Sequence, residues 1–152
     1  MATTNSSSAQ NKRVGDTAVN GLIGGIIAGL VMALVLLAAG FLNGESPAVV
    51  LQRFDPAQAN NWLVGLLTHL AVSAVYGLVF GLIALGLLRI RPSLARFSWL
   101  MGLIYGLVLY GIARAAFLSG VNSGLAQFTA VYLFVSHAVY GLVLGFIIGR
   151  QE

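Results

Sequence analysis

Four long apolar stretches dominate this chain and restrict what it can fold into. Each is more than 18 residues long and almost free of charged side chains. Roughly 20 residues of α-helix, at about 1.5 Å rise per residue, cross a hydrocarbon core of about 30 Å. The sequence therefore predicts four membrane-spanning helices, at residues 18–42, 61–88, 97–118 and 125–149.

The scarcity of charge supports the same interpretation. Only 8% of the 152 residues are charged, whereas a soluble globular domain carries about 25%. We expect an all-α, polytopic membrane domain over residues 18–152, folded as a four-helix bundle. Residues 1–17, which are rich in serine, threonine and asparagine, are predicted to be a disordered cytoplasmic tail.

The absence of cysteine excludes several kinds of site. Without thiols the chain forms no disulfide, no thiolate nucleophile and no cysteine-ligated metal or iron–sulfur centre. The sequence patterns of nucleophile elbows, zinc-binding His-Glu pairs, phosphate loops and paired carboxylates are also missing. We therefore predict a protein that is not an enzyme, with no catalytic residues, no metal site and no required cofactor.

Basic residues mark one side of the membrane. Lys12 and Arg13 precede the first span, three arginines lie in the link 89–96, and Arg150 follows the last span. Cytoplasmic loops are enriched in lysine and arginine, so this pattern places both termini and the 89–96 link in the cytoplasm. The excess of eight Lys+Arg over four Asp+Glu is explained by orientation in the membrane, and we predict no nucleic-acid partner.

The second and fourth spans contain nearly the same segment. Residues 73–81 (SAVYGLVFG) and 137–145 (HAVYGLVLG) match at seven of nine positions. The first and third spans match more weakly, with GLIGG at 21–25 against GLIYG at 102–106. Parallel repeats related by an axis along the membrane normal are a known plan of membrane proteins. The pattern predicts a duplicated two-helix hairpin, and chance similarity between apolar segments is the alternative.

Glycines recur at intervals of four residues in every span. Positions four apart share one face of a helix, and a row of glycines forms a groove in which a second backbone packs closely. We predict that these rows are packing surfaces, either inside the bundle or against other membrane subunits or further copies of this chain. The positions are Gly21, Gly25, Gly29, Gly77, Gly81, Gly102, Gly106, Gly141, Gly145 and Gly149.

Few polar side chains lie deep in the spans, so each is a candidate for function. His69 and His137 lie about two and three turns from the outer ends of spans two and four, at similar depths. Two neutral imidazoles facing each other could hold one haem b iron, and either could ligate a bacteriochlorophyll magnesium. The alternative is that each ring bonds a serine, a tyrosine or a backbone carbonyl, with no cofactor.

Arg114 and five tyrosines complete the set of polar candidates. Arg114 lies about one turn from the outer end of span three, where it either extends to the headgroups or binds an anionic group such as a lipid phosphate. The tyrosines either pack on glycines or line a crevice for a quinone or a lipid. They are Tyr76, Tyr105, Tyr110, Tyr132 and Tyr140.

The loop after the first span contains two patterns typical of helix starts. Ser46-Pro47 and Asp55-Pro56 each combine a capping residue with a proline at the first helical position. The apolar residues 48–54 lie between them. We predict a short helix here, lying on the outer surface of the membrane.

Two segments carry a resemblance to known proteins. The glycine-rich first span GLIGGIIAGLVM (residues 21–32) and the interval from Trp62 to His69 resemble those of small uncharacterised four-helix inner-membrane proteins of bacteria. The resemblance implies this fold and a bacterial plasma membrane, and it implies no chemistry for any residue.

The sequence favours a structural function. We predict a small accessory or scaffold subunit of a larger membrane complex or homo-oligomer, surrounded by lipid, with a glycine-lined face open to its partner. The first alternative is a redox or photosynthetic subunit, which requires His69 and His137 to face one cavity. The second is a channel or transporter for a small solute with Arg114 at its outer mouth, which requires a continuous polar cavity.

Overall fold

In the part of the chain that the structure describes, four long α-helices form a bundle with one short α-helix across an end. The computed structural model describes residues 3–118, 120 and 123–150. No strand occurs in these ranges, and the four long helices are each long and apolar enough to cross a membrane, which confirms the predicted fold class. The helices are α1 (Thr3–Leu42), α2 (Pro47–Gln52), α3 (Trp62–Ile90), α4 (Ser98–Leu118) and α5 (Ala130–Gly149).

The first helix is longer than predicted. α1 begins at Thr3, so residues 3–17, which we expected to be a disordered tail, are helical. A helix that already exists gains one hydrogen bond for each residue it adds and needs no new nucleus. The segment of α1 that is apolar enough to span a membrane runs over Val14–Leu42.

The fourth long helix begins later than predicted, at Ala130 instead of residue 125. Residues Gly124–Gln127 form a 3₁₀ turn, in which the Ser123 Oγ accepts the Leu125 N–H at 3.2 Å. Phe128 is then extended, and its ring is buried at this end of the bundle. The 20 residues of α5 still measure about 30 Å, enough to cross the hydrocarbon core.

The long helices pack as two close pairs. α1 packs along α3, α4 packs along α5, and α1 also packs against α5. α3 and α4, in contrast, touch at few points. The order around the bundle is therefore α3, α1, α5, α4, with a gap between the first and the last.

Glycines permit the close approach within each pair. A Cβ built on Gly77 would lie within 3.0 Å of the backbone of Gly25, and one on Gly141 would lie within 3.0 Å of the backbone of Gly102. Each of the ten glycines in the predicted rows would meet an atom of another helix within 3.2 Å. Eight of them would meet backbone atoms, and Gly29 and Gly149 would meet the side chains of Ser73 and Ser98. The rows are therefore occupied by contacts inside the bundle.

The two pairs make equivalent contacts at aligned positions. Gly25 faces the carbonyl of Ser73, and Gly106, which aligns with Gly25, faces the carbonyl of His137. Ser73 and His137 are themselves aligned in the two similar segments. The same correspondence holds for the contacts Gly21–Gly77 and Gly102–Gly141. Two copies of one hairpin would pack in this way.

Residue size explains why one side of the bundle is closed and the other open. On the closed side, Gly24 of α1 leaves room for Leu144 of α5, whose Cδ1 would lie 3.3 Å from an added Cβ. The aligned residues on the open side are Tyr105 of α4 and Phe80 of α3, whose ring centroids are 5.1 Å apart. Two aromatic rings hold α4 and α3 farther apart than a glycine and a leucine hold α1 and α5.

The short helix α2 lies across the end of the bundle that we call the α2 end. It begins as predicted, with the Ser46 Oγ accepting the Val49 N–H and Pro47 as its first residue. Its residues Val50 and Leu51 are buried, and it packs against the start of α3. One face of α2 is therefore packed against the bundle, and the other lies on its surface. The opposite end, with Arg89, Arg91, Arg96 and Arg150, is the arginine end.

Asp55-Pro56 does not start a helix as the sequence predicted. Asp55 is only 3% exposed, and its carboxylate accepts three backbone N–H groups from the loop that follows it. The donors are Ala57 at 3.0 Å, Ala59 at 3.1 Å and Asn61 at 3.1 Å. These bonds hold a loop in which Gln58 and Asn60 adopt φ values of 53° and 58°, a region that residues with side chains rarely enter.

Candidate functional site

A cavity of about 290 Å³ lies in the gap between α3 and α4, in the half of the bundle nearer the α2 end. All four long helices contribute to its walls, mostly with apolar side chains. Phe54 and Leu125, from the loops at the α2 end, form its roof. The gap that produces the cavity follows from the spacing imposed by Tyr105 and Phe80.

The mouth of the cavity faces the side of the bundle. Val72 of α3 and Ile112 of α4 line the cavity, yet they are 45% and 57% exposed. Val72 lies ten residues, about 15 Å, along α3 from Trp62, the first residue of that apolar helix. The mouth therefore opens on the lateral, apolar surface of the bundle and not at one of its ends.

Two tyrosines connect α3 to its neighbours near the cavity, and one of them, Tyr140, is a lining residue. The Tyr105 hydroxyl donates to the backbone carbonyl of Tyr76 at 2.9 Å and so connects α4 to α3. The Tyr140 hydroxyl donates to the carbonyl of Ser73 at 2.8 Å and connects α5 to α3.

The two histidines predicted as ligands both line this cavity. His69 Nε2 lies 2.9 Å from the carbonyl oxygen of Gly29 in α1, and His137 Nδ1 lies 2.8 Å from that of Leu133 in its own helix. A carbonyl only accepts hydrogen bonds, so these two nitrogens carry hydrogen. In a neutral ring the other nitrogen is an acceptor, which is Nδ1 in His69 and Nε2 in His137.

These acceptor nitrogens are open to the cavity. Neither makes a hydrogen bond to any residue that the structure describes. In the same residues, no buried side-chain nitrogen or oxygen lacks a partner. His69 Nδ1 and His137 Nε2 must therefore reach open space, and the cavity is the space that both rings line.

The arrangement does not favour a haem held between the two histidines. His69 offers Nδ1, which is next to the ring carbon that carries the Cβ, so a flat macrocycle bound there would collide with α3 itself. The cavity is also at the lower limit of the range of about 300–1,000 Å³ found for small-molecule sites. His137 offers Nε2 with its Nδ1–H on a carbonyl, as metal-ligating histidines do. Haem or bacteriochlorophyll ligation stays a prediction that rests on His137 alone.

Comparison with known proteins identifies the family of the chain but gives no information on its chemistry. Residues 15–152 match the model of a family described as a family of unknown function, DUF6789. The chain belongs to this family. No curated protein and no solved structure matches the chain. Membership of DUF6789 assigns no chemistry to any residue of the cavity.

Arg114 lies beside the cavity without lining it. It sits on α4 between the lining residues Ala113 and Ala116, and its side chain is half-buried. It is one turn before α4 ends at Leu118, so its guanidinium is within reach of the headgroup region. Contact with an anionic group stays a prediction for this residue.

Arg53 holds the roof of the cavity, a role that the sequence did not indicate. Its guanidinium donates to both carboxylate oxygens of Glu45, with Nη1 3.0 Å from Oε2. Its Nε donates to the Gln127 Oε1 at 3.3 Å, and its Cζ lies 4.7 Å from the centroid of the Phe128 ring. Arg53 thus joins the loop before α2 to the loop before α5, a pairing of residues far apart in the chain.

Phe54 packs against both His69 and Phe128, the ring over which the Arg53 guanidinium lies. Its ring centroid is 4.5 Å from that of His69 and 5.8 Å from that of Phe128. Because His69 is also bonded to Gly29, its ring is held from two sides and the acceptor nitrogen keeps one direction. The sequence shows Phe54 only as one apolar residue among several in a loop.

Proposed function

We propose that this protein is a non-enzymatic membrane protein that takes a ligand from the lipid phase and holds it between α3 and α4. The observation that carries the proposal is the lateral mouth between the exposed side chains of Val72 and Ile112. In a bundle that spans a bilayer, this mouth would open at the depth of the hydrocarbon core. Binding sites for small molecules are concave and mostly apolar, with a few placed polar groups. The apolar walls and the two open imidazole nitrogens of this cavity meet that description.

A scaffold function through glycine grooves has less support. It needs a glycine-lined face that is free for a partner, and the ten glycines of the predicted rows face helices of the same bundle. In the described helices, glycines with open space around them are Gly15, Gly86 and Gly111, one each on α1, α3 and α4. Single glycines on separate helices do not form a groove. Association with other subunits or with a second copy of the chain would have to use other surfaces of the bundle.

Ala113→Phe tests the lipid-phase ligand, with Ala115→Phe as its matched control. Ala113 lines the cavity, whereas Ala115 on the same helix is exposed on the outer surface of the bundle. The protein in lipid vesicles is labelled with a photoactivatable alkyl diazirine, and the labelled residues are mapped by mass spectrometry. Because phenylalanine at 113 would occupy part of the cavity and narrow the space for a ligand, we expect labelling of cavity residues to fall at least about tenfold, and to change less than about twofold in Ala115→Phe.

Equal labelling in the two variants would contradict the proposal.

An absorption spectrum tests the alternative that the cavity binds a pigment. The spectrum is recorded on protein purified from its native membrane, first oxidised and then reduced with dithionite. A Soret band that disappears in His137→Ala would favour a bound haem or chlorophyll over a ligand that exchanges with the lipid.

We propose that the arginine end and both termini face the cytoplasm, in a plasma (inner) membrane. The support is the charge distribution along the bundle axis. Arg89, Arg91, Arg96 and Arg150 lie at one end. At the α2 end, Arg53 is paired with Glu45 and Asp55 is buried. Lysine and arginine are enriched in the cytoplasmic loops of membrane proteins, and the loops at the α2 end contain only Arg53.

Single cysteines test this orientation, because the chain has no cysteine of its own. Ala59 at the α2 end and Ser93 at the arginine end are both exposed. We expect a membrane-impermeant maleimide to label Ala59→Cys in intact cells and to label Ser93→Cys only after permeabilisation. The reverse pattern would show that the bundle has the opposite orientation.

A further inference from the structure

We propose that the ligand of the cavity is a lipid-soluble hydroquinone, bound in preference to the corresponding quinone. The inference rests on the proposed function, since it names the ligand class of the same cavity. Three observations carry it: the hydrogen-bonding state of the lining side chains, the aromatic surroundings, and the lateral gap.

The proton donors of three polar lining side chains are already in use. His69 Nε2–H, His137 Nδ1–H and the Tyr140 hydroxyl donate to backbone carbonyls at 2.9, 2.8 and 2.8 Å. Each of these side chains has only a lone pair left for a ligand: on Nδ1, on Nε2 and on the phenolic oxygen. A ligand that satisfies them must bring its own donors.

The other polar lining residues do not add a hydrogen-bond donor of fixed direction to the cavity. Thr68, Ser73 and Tyr76 carry hydroxyl groups, which donate or accept according to how the O–H rotates. They can therefore complement a ligand of either kind. Discrimination between a ligand that donates and one that only accepts therefore depends on the two imidazoles. Their ring nitrogens cannot rotate independently, and their tautomers are set by the carbonyls of Gly29 and Leu133.

The shape of the cavity suits one aromatic ring with a tail. Phe54, Tyr76 and Tyr140 surround the space with aromatic surface, and aromatic rings pair well at centroid distances of about 4.5–7 Å. A volume of about 290 Å³ takes a substituted ring and leaves little space for a long chain beside it. An isoprenoid or alkyl tail can leave through the gap between Val72 and Ile112 into the lipid.

The oxidation state of the ring decides whether it fits. A hydroquinone brings two O–H donors to two imidazole acceptors. A quinone brings only carbonyl oxygens, which would face the lone pairs of His69 and His137 with no hydrogen between them. Sites built to bond a hydroxyl reject analogues without it, because the buried polar groups are left unpaired. To accept the quinone, a histidine would have to release its carbonyl partner and change tautomer.

Three matched probes test the inference on the full-length protein in lipid nanodiscs under anaerobic conditions. They are a short-tailed benzohydroquinone, its benzoquinone, and its dimethyl ether, which keeps the ring and tail and lacks both donors. Dissociation constants are measured by equilibrium dialysis. We expect the hydroquinone to bind at least about tenfold more tightly than the quinone and the ether.

His137→Phe identifies the acceptor. Its Nδ1 bond is to Leu133 of the same helix, so the variant keeps the contacts between helices. Tyr132→Phe, on the same helix and outside the cavity lining, is the control. We expect the preference for the hydroquinone to fall to within about twofold in His137→Phe and to be unchanged in Tyr132→Phe.

The outcomes separate this inference from the function on which it rests. If the three probes bind equally while Ala113→Phe still abolishes diazirine labelling, the cavity binds lipid-phase molecules and the hydroquinone assignment is overturned. Tighter binding of the quinone overturns it too, as does a hydroquinone preference that survives in His137→Phe. If no probe binds and the diazirine labelling is insensitive to Ala113→Phe, both proposals fall.

Discussion

Gly77→Ala is expected to destabilise the folded bundle by about 1–3 kcal/mol, the usual cost of adding atoms to a site that is already full. The new Cβ would lie within 3.0 Å of the Cα and N of Gly25, in the middle of the contact between α1 and α3. Backbone atoms of a helix cannot rotate aside as a side chain can, so the two helices have to separate. Separation loosens the pair along its length, because the same face also carries Gly81.

The matched control is Gly86→Ala, on the same helix. A Cβ at Gly86 would have nothing within 4 Å, and alanine in a helix is about 0.5–1 kcal/mol more favourable than glycine. Thermal unfolding of both variants in one detergent, followed by circular dichroism, should show a lower Tm for Gly77→Ala and an equal or higher Tm for Gly86→Ala. Equal Tm values would mean that the α1–α3 contact is looser than described.

The corresponding glycines of α4 and α5 allow the same comparison in the second pair of helices. Gly141 would meet the backbone of Gly102, whereas Gly111 on α4 has open space around it. If the two helix pairs are equivalent, Gly141→Ala and Gly111→Ala should differ in the same direction and by a similar amount.

Asp55→Ala is expected to cost about 3 kcal/mol, because bonds to a charged acceptor are worth roughly 1.5–3 kcal/mol each and water can replace part of them. The substitution leaves the N–H groups of Ala57, Ala59 and Asn61 without their acceptor. The left-handed conformations of Gln58 and Asn60 then lose the bonds that hold them. Since Phe54 precedes this loop, the roof over His69 is expected to loosen as well.

Hydrogen exchange and thermal unfolding measure the two parts of this effect. The amides of residues 57–61 should exchange faster in Asp55→Ala, and the Tm should fall. Asp16→Ala removes an exposed carboxylate near the other end of the bundle, and a surface substitution of this kind changes stability by about 0.5 kcal/mol or less. Unchanged exchange at the Asn61 amide would contradict the role given to Asp55.

Several parts of this protein could be predicted from the sequence because their causes are local. The four spans follow from the length and apolarity of each segment, and the start of α2 follows from Ser46 and Pro47, which are adjacent. The glycine rows could be identified because a spacing of four places residues on one helix face. None of these conclusions requires knowledge of which helix lies beside which.

The remaining features depend on contacts between distant segments. That His69 and His137 line one cavity follows from the order of helices around the bundle, and the gap itself follows from Tyr105 and Phe80 meeting where Gly24 and Leu144 meet on the other side. Arg53 gains its role only when Glu45 and Gln127 are brought to it by folding. The tautomer of each histidine is likewise set by the carbonyl that packing places next to it. Sequence periodicity therefore determined the helices and their packing faces, whereas the site arises from the distances between helices, which side-chain size at each contact decides.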